Sequence, residues 1–335
     1  MSHITVGIPT RDRYDLLPMT LISVINQTRT PDKIILYDDS KNRADLRTHQ
    51  IYQYVFQLMA SKKIEWEVLF GQQRGQHIGH QLIQASAREL VWRIDDDEIA
   101  EPNVLEILEK HLQNPEVGAA AGVVILPLTP RMDWPPNTLE NINNGNCQWY
   151  RWEGVKEVEH LYSSYLYRKG VQDFDINLSP KAFREETLHT YGILKKGLKL
   201  VVDGSAVTYH FQSSKGGIRS EDEDERARQM FLHDEIAFQE ILREYDGHKI
   251  CFLDCGMGDH LVFKSILPKI KEKYKDVTLA VCYPELFPEE KCISIAEGAK
   301  ICNPDRHNIF KWCIDHDWKD REIKYAYAQM YGVEI

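Results

Sequence analysis

The chain has 335 residues, of which 43% are hydrophobic and 27% charged, and its formal net charge at pH 7 is -10. Such a composition excludes general disorder, allows a sizeable core, and at this length favours two domains over one. No run approaches the ~20 apolar residues of a bilayer span, no basic-then-apolar leader opens the sequence, and the acidic balance argues against nucleic-acid binding, which leaves a basic footprint.

Ile4 to Pro9 is an apolar strand pattern ending in proline, followed by the polar loop Thr10-Arg11-Asp12-Arg13. Asp15 to Gln27 carries Leu16, Leu17, Leu21, Ile22, Val24 and Ile25 at helical spacing. Lys33 to Tyr37 predicts a second strand, closed by Asp38-Asp39-Ser40. A helix with Leu46, Tyr54, Val55, Leu58 and Met59 leads to a strand around Trp66 to Phe70. Gly71 to Gly79 is a polar loop that opens another helix. Val91-Trp92-Arg93-Ile94 is a short apolar strand running into Asp95-Asp96-Asp97-Glu98. Pro102 stands where a helix should begin, and Val117 to Leu126 reads as one more strand. This alternation predicts an α/β domain with a mainly parallel sheet. Ligands of such sheets bind beyond the carboxyl ends of the strands, where the polar clusters 10–13, 38–40 and 95–98 fall.

Residues 127–182 are rich in Pro, Asn and aromatics and read as loops with short strands. A helix then runs from Phe183-Arg184-Glu185-Glu186 to Gly197, and strands reach His210. The segment 213–220 reads as a loop, and Glu221 to Glu225 opens a helix to about Tyr245, its acids suiting the first turn of a helix. Beyond Asp246-Gly247-His248 a second α/β unit begins. The expected organisation is a main domain over 1–220, a linker helix over 221–247, and a small Rossmann-like domain over 248–335.

Aspartates gathered at a strand end suit a hard divalent cation, which can act as a Lewis acid on a diphosphate leaving group. Three aspartates in a row can equally form a solvated turn. The surrounding residues resemble glycosyltransferase family 2, the inverting sugar-nucleotide enzymes of the GT-A fold, from Ile4 to about Arg219. Val6 to Arg13 is similar to the opening strand and its nucleotide-contacting loop. Ser23-Val24-Ile25-Asn26-Gln27-Thr28, Pro31 and Ile34 to Ser40 follow the family run S-I-x-N-Q-T … P … I-I-V-x-D-D-x-S. Gln73-Arg74-Gly75 resembles the turn before the next helix, with Gln in place of the usual Asn, and Ile94 to Asp97 resembles the metal-binding D-x-D segment.

What the resemblance implies is a set of roles. Pro9, Thr10, Arg11, Arg13, Asp39, Arg74 and Asp96 would contact the nucleotide, Asp39 through the base and Asp96 through ribose or metal. Asp97, Asp95 and His210 would hold Mn²⁺ or Mg²⁺. Glu186, where the family commonly has Asp, would be the general base beside Glu185, although two acids in a first helical turn also serve as caps. Ser214 to Arg219 is similar to the family's G-G-x-R segment. Trp149 and Trp152, with Trp134, suit sugar rings of an acceptor, or core packing. The expected partners are a nucleotide-sugar, most simply a UDP-sugar, and a glycan or other hydroxyl acceptor; a non-catalytic sugar-nucleotide or glycan-binding module of the same fold is the rival reading.

The last ~85 residues resemble, over Gly256 to Val262, Leu267 to Ile270 and Tyr274, the N-terminal half of family 9 heptosyltransferases. Leu253 to Gly258 also fits the start of a methyltransferase glycine turn. A docking or homo-oligomerising role is expected for this region, because the nucleotide-binding half is absent. Six of the seven cysteines lie here without a C-x-x-C pair, which predicts small buried residues and reduced thiols in a cytoplasmic protein. Part of the acidity behind the charge of -10, residues 38–39, 95–98 and 185–186, belongs to the expected site and part, residues 221–225, to a solvated helix start, so binding of a phosphorylated donor should need a metal.

Overall fold

The computed structural model describes residues 2–125, 154–212, 217, 225–319 and 322–335. Trp134, Trp149 and Trp152 lie outside the described residues, as do all but Gly217 of the G-G-x-R segment. The chain divides into two compact units, Met1–Met230 and Phe231–Ile335.

In the first unit, strands β1 (Ile4–Thr10), β2 (Lys33–Asp38), β3 (Glu65–Phe70) and β4 (Leu90–Arg93) alternate with helices α1 (Leu17–Ile25), α2 (Gln50–Ser61) and α3 (Gln76–Ser86). β5 (Glu98–Ala100), α4 (Val104–His111), β6 (Val117–Ile125), β7 (Val155–Val158), β8 (Tyr165–Arg168), α5 (Glu185–Lys195) and β9 (Lys199–His210) follow. They form one nine-stranded sheet in the order β3-β2-β1-β4-β8-β6-β9-β5, with β7 on β9. The half β3-β2-β1-β4 is parallel. β8 enters antiparallel between β4 and β6, while β6 and β9 run parallel.

Side-chain alternation builds a core on each face of this sheet. Ile4, Val6, Ile8, Ile34 and Leu36 point to one layer with Leu17, Leu21 and Met59. Ile35, Tyr37 and Val91 point to the other, with Ile83, Tyr165 and Tyr167. β1 is buried along its whole length, as a strand covered on both faces must be. Its proline is tolerated for a positional reason. The Gly7 carbonyl faces β4 and the Thr10 carbonyl faces β2, so by alternation the missing N–H of Pro9 falls on the β4 side. There the β4 pairing has already ended at Gly7–Arg93, and no ladder bond is lost.

Two local differences from the sequence reading have physical causes. Leu46 lies in a separate short turn whose Asp45 caps Arg47, ahead of α2. Glu98 begins a strand of three residues, which is too short for periodicity to reveal and depends on pairing with β9.

The second unit contains most of α6 (Glu225–Tyr245) and a parallel sheet of β10 (His248–Leu253), β11 (Asp276–Val281) and β12 (Lys291–Ile293). Helix α7 (Met257–Lys273) buries Phe263, Ile266, Leu267 and Ile270 against Cys251, Leu253 and Leu279. α6, expected as a linker, joins this unit chemically: Glu240 accepts from His307 Nε2 at 2.7 Å and from the Asn303 N–H at 2.8 Å. No helix among the described residues is long and apolar enough to cross a membrane.

Candidate active site

The acidic segment leaves the carboxyl end of β4, and its four carboxylates turn in different directions. Asp96 turns back under β1, where it accepts from Thr10 Oγ1 at 2.7 Å and from Arg13 Nη1 at 3.0 Å. Its carbonyl accepts from Thr20 Oγ1 at 2.8 Å. Burial pushes its carboxyl up to about 7, against the pull of Arg13 and with a further push from Asp97. Asp97 is buried between Arg13 Nη1, 3.1 Å from Oδ2, and His210 Nε2, 3.2 Å from Oδ1.

Asp95 and Glu98 converge on the opposite side. Glu98 is fully buried, and the β5–β9 register sets it directly beside His210. It accepts from the Asp95 N–H at 3.1 Å and from Ser163 Oγ. Burial holds the Glu98 carboxyl above its ordinary range. His210 moves the other way from its own burial penalty: the bond to Asp97 and the charge of Glu98 outweigh desolvation and raise its pKa.

Asp95, Glu98 and His210 each offer one ligand atom, and these atoms lie within 4.8 Å of one another. Two carboxylate oxygens and an imidazole nitrogen suit Mn²⁺ or Mg²⁺. Asp95 Oδ1 is buried and lacks a hydrogen-bond partner among the described residues, with Arg93 Nη2 3.5 Å away, which leaves it room to take a cation as well. Asp97, expected as a ligand, stands outside this group, with one oxygen on Arg13 and the other on His210. The sequence does not single out Glu98 as a ligand; its membership of the acidic run is the available signal.

The two acids of α5 differ sharply. Arg184 adopts a left-handed φ of 69° that turns the chain into the helix. Glu185 is buried, accepting from Arg93 Nη2 and from Gln76 Nε2 at 3.1 Å. Burial pushes its carboxyl to about 8, against the pull of Arg93. Glu186, the next residue, is half-buried and reaches solvent. In the sequence Arg93 reads as part of an apolar strand, and the one signal of a further role is that it is a lone cation in such a run next to four acids.

The remaining loops gather around β1. The Asp12 N–H donates to Ser40 Oγ at 2.8 Å, and the Ser40 N–H donates to Asp38 Oδ1 at 3.0 Å. Asp39 is buried and accepts from the N–H groups of Gln73, 2.6 Å, and Gly75, 3.0 Å. It therefore shapes the loop that presents Arg74, which is exposed. Gly75 has φ 104°, and a Cβ there would stand 2.8 Å from the Pro180 carbonyl oxygen, so glycine is required. Pro9 and Thr10 are buried and Arg11 half-buried. The Gly217 N–H donates to the Arg11 carbonyl at 2.7 Å, and a Cβ on Gly217 would meet the Arg13 guanidinium at 2.6 Å.

These loops meet at the carboxyl ends of β1, β2 and β4, where the O, O, N donor group stands and where Arg93 holds the acid helix. Residues 5–169 match the model for glycosyl transferase family 2. No curated protein matches the sequence. Among solved structures the chain is similar to GalNAc-T7 with UDP, GalNAc and Mn²⁺, at a TM-score of 0.51 and 14% identity, over 99% of this chain and 59% of that one. It is also similar to S. aureus TarS, at a TM-score of 0.47 and 17% identity over 73% of this chain and 43% of that one. For S. aureus TarS 1–349 in complex with UDP-GlcNAc the values are 0.49, 16%, 73% and 72%. The chain thus spans under half the length of TarS, and the likeness to GalNAc-T7 is one of fold.

Proposed function

We propose that this chain, a GT-A protein whose residues 5–169 carry the glycosyl transferase family 2 match, moves a sugar from a nucleotide-sugar to an acceptor hydroxyl with inversion. The observation that carries this reading is the donor group of Asp95, Glu98 and His210, which stands at the end of the strand that also brings Arg93 to the acid helix. The donor is most simply a UDP-sugar and the acceptor a glycan. The second unit serves docking or self-association.

Asp95, Glu98 and His210 would hold Mn²⁺ or Mg²⁺, which when bound neutralises the departing diphosphate. Glu186 is the base. Its neighbour Glu185 is buried, with Oε1 engaged by Arg93 and Gln76, and so is poorly suited to take an acceptor proton. The Glu186 carboxylate takes the acceptor proton as the acceptor oxygen forms its bond to the anomeric carbon. The bond from that carbon to the diphosphate breaks on the opposite face, and the nucleoside diphosphate leaves with the electron pair. Arg11, half-buried in the loop after β1, and the exposed Arg74 would meet donor phosphate or base, whereas Arg13 already balances Asp96 and Asp97.

The test is hydrolysis of a panel of UDP-, GDP- and dTDP-sugars with and without Mn²⁺. Turnover should require the metal and favour one nucleotide, and Glu186→Gln should lower it by ~10²-fold or more while donor binding persists. Binding of a sugar nucleotide without any turnover by the intact protein would favour the non-catalytic module instead.

A further inference from the structure

Arg93 is an unusual occupant of a central strand. It is the last residue of β4, paired with Gly7 of β1 on one side and Tyr165 of β8 on the other, and is 1% exposed. Its guanidinium reaches three separate parts of the first unit. Nη1 donates to the Ser163 carbonyl, in the segment whose Oγ holds Glu98. Nη2 donates to Glu185 Oε1 at the start of α5, and the same nitrogen lies 3.5 Å from Asp95 Oδ1. Among the described residues Asp95 has no other ion-pair partner. The guanidinium also stands 5.7 Å from the ring centre of Tyr165, whose hydroxyl is 3.0 Å from His189 Nδ1 on α5.

We infer that Arg93 is a positioning residue, a strap that fixes the acid helix to the acidic segment and so sets where Glu186 stands relative to Asp95. This rests on the transferase reading above. Two features argue for the strap over simple packing. A buried charged pair is often no more stabilising than well-packed apolar residues of the same volume, so stability alone gives little reason for an arginine here. The planar fork of Arg can address two carboxyl groups and a carbonyl at once, which a lysine's single ammonium on a flexible stem does not reproduce. Backbone pairing on both sides of Arg93 leaves the fork little freedom to drift.

The experiment uses two forms of the full chain, Arg93→Lys and the double variant Arg93→Met with Glu185→Leu. Three quantities are read: the thermal midpoint, the Mn²⁺ affinity by calorimetry, and kcat and KM for sugar-nucleotide hydrolysis. The double variant removes the buried charge along with the strap, so it should stay folded even if the lysine variant does not. Each folded variant should lose about 10- to 100-fold in kcat with donor KM within about twofold, and bind Mn²⁺ about tenfold more weakly. A folded variant of either kind with wild-type kcat and Mn²⁺ affinity overturns the strap. So does a loss of kcat with Mn²⁺ affinity unchanged, which would assign the effect to Glu185 alone. Wild-type protein that binds Mn²⁺ yet turns over no sugar nucleotide sinks the transferase reading and leaves the affinity comparison standing.

Discussion

Asp95, Asp96, Asp97 and Glu98 share one short segment, and their partners decide what each can do. Asp96 is tied to Thr10 and Arg13, Asp97 to Arg13 and His210, whereas Asp95 and Glu98 converge with His210. Glu98→Gln should therefore weaken Mn²⁺ binding by at least about tenfold, and Asp97→Asn by clearly less, because only the first removes a carboxylate charge from the donor group. Calorimetric titration of both variants checks this, and equal losses would bring Asp97 back into the group. The acidic run was legible in the sequence, as was the histidine at a strand end. Which acids face inward was not, because that depends on the Glu98–His210 register between strands more than a hundred residues apart in the chain. The partners of Arg93 were illegible for a related reason: Ser163 and Glu185 are distant in sequence and meet it only after folding.

At the scale of elements, the strands and helices up to β4 could be read in chain order because apolar runs bounded by polar loops identify them. β5 could not, since three residues carry no period and the strand exists through its partner. The loops between elements are where chemistry and backbone geometry meet. The turn before α3 combines a φ of 59° at Gln73 with 104° at Gly75, and Asp39 fastens both amides. Gly75→Ala should cost about 1–3 kcal/mol, from the strained φ and the close Pro180 carbonyl together. Denaturant unfolding measures it. Stability equal to wild type would mean that the loop can relax without Asp39, and its role in presenting Arg74 would fall with it.

At the scale of the whole molecule, the two units hold two different kinds of buried acid. In the first unit, burial dominates: Glu185 is pushed to about 8 and Asp96 to about 7. In the second, Glu240 is held well below the ordinary range: its burial would raise it, but Arg306 and His307 outweigh that penalty. These have opposite consequences. Between their unfolded values of about 4 and their raised folded values, Glu185 and Asp96 bind more protons in the fold than in the unfolded chain. The metal-free first unit should thus lose stability as pH rises from 5 to 8. Glu240 binds fewer protons in the fold, so its contribution is complete above about 4.3 and disappears as pH falls below that value. Hydrogen exchange resolved by segment can read the units separately. In metal-free buffer, amides of β4 and α5 should exchange faster at pH 8 than at pH 5 once intrinsic rates are divided out. Those of β10 and the last turns of α6 should be unchanged over that window and lose protection below about pH 4. Mn²⁺ should flatten the first dependence, because a cation among Asp95, Glu98 and His210 supplies the positive charge that the buried acids of this unit otherwise obtain by protonation. A first unit whose protection grows with pH in the absence of metal would contradict the assignment of its acids as destabilised by burial.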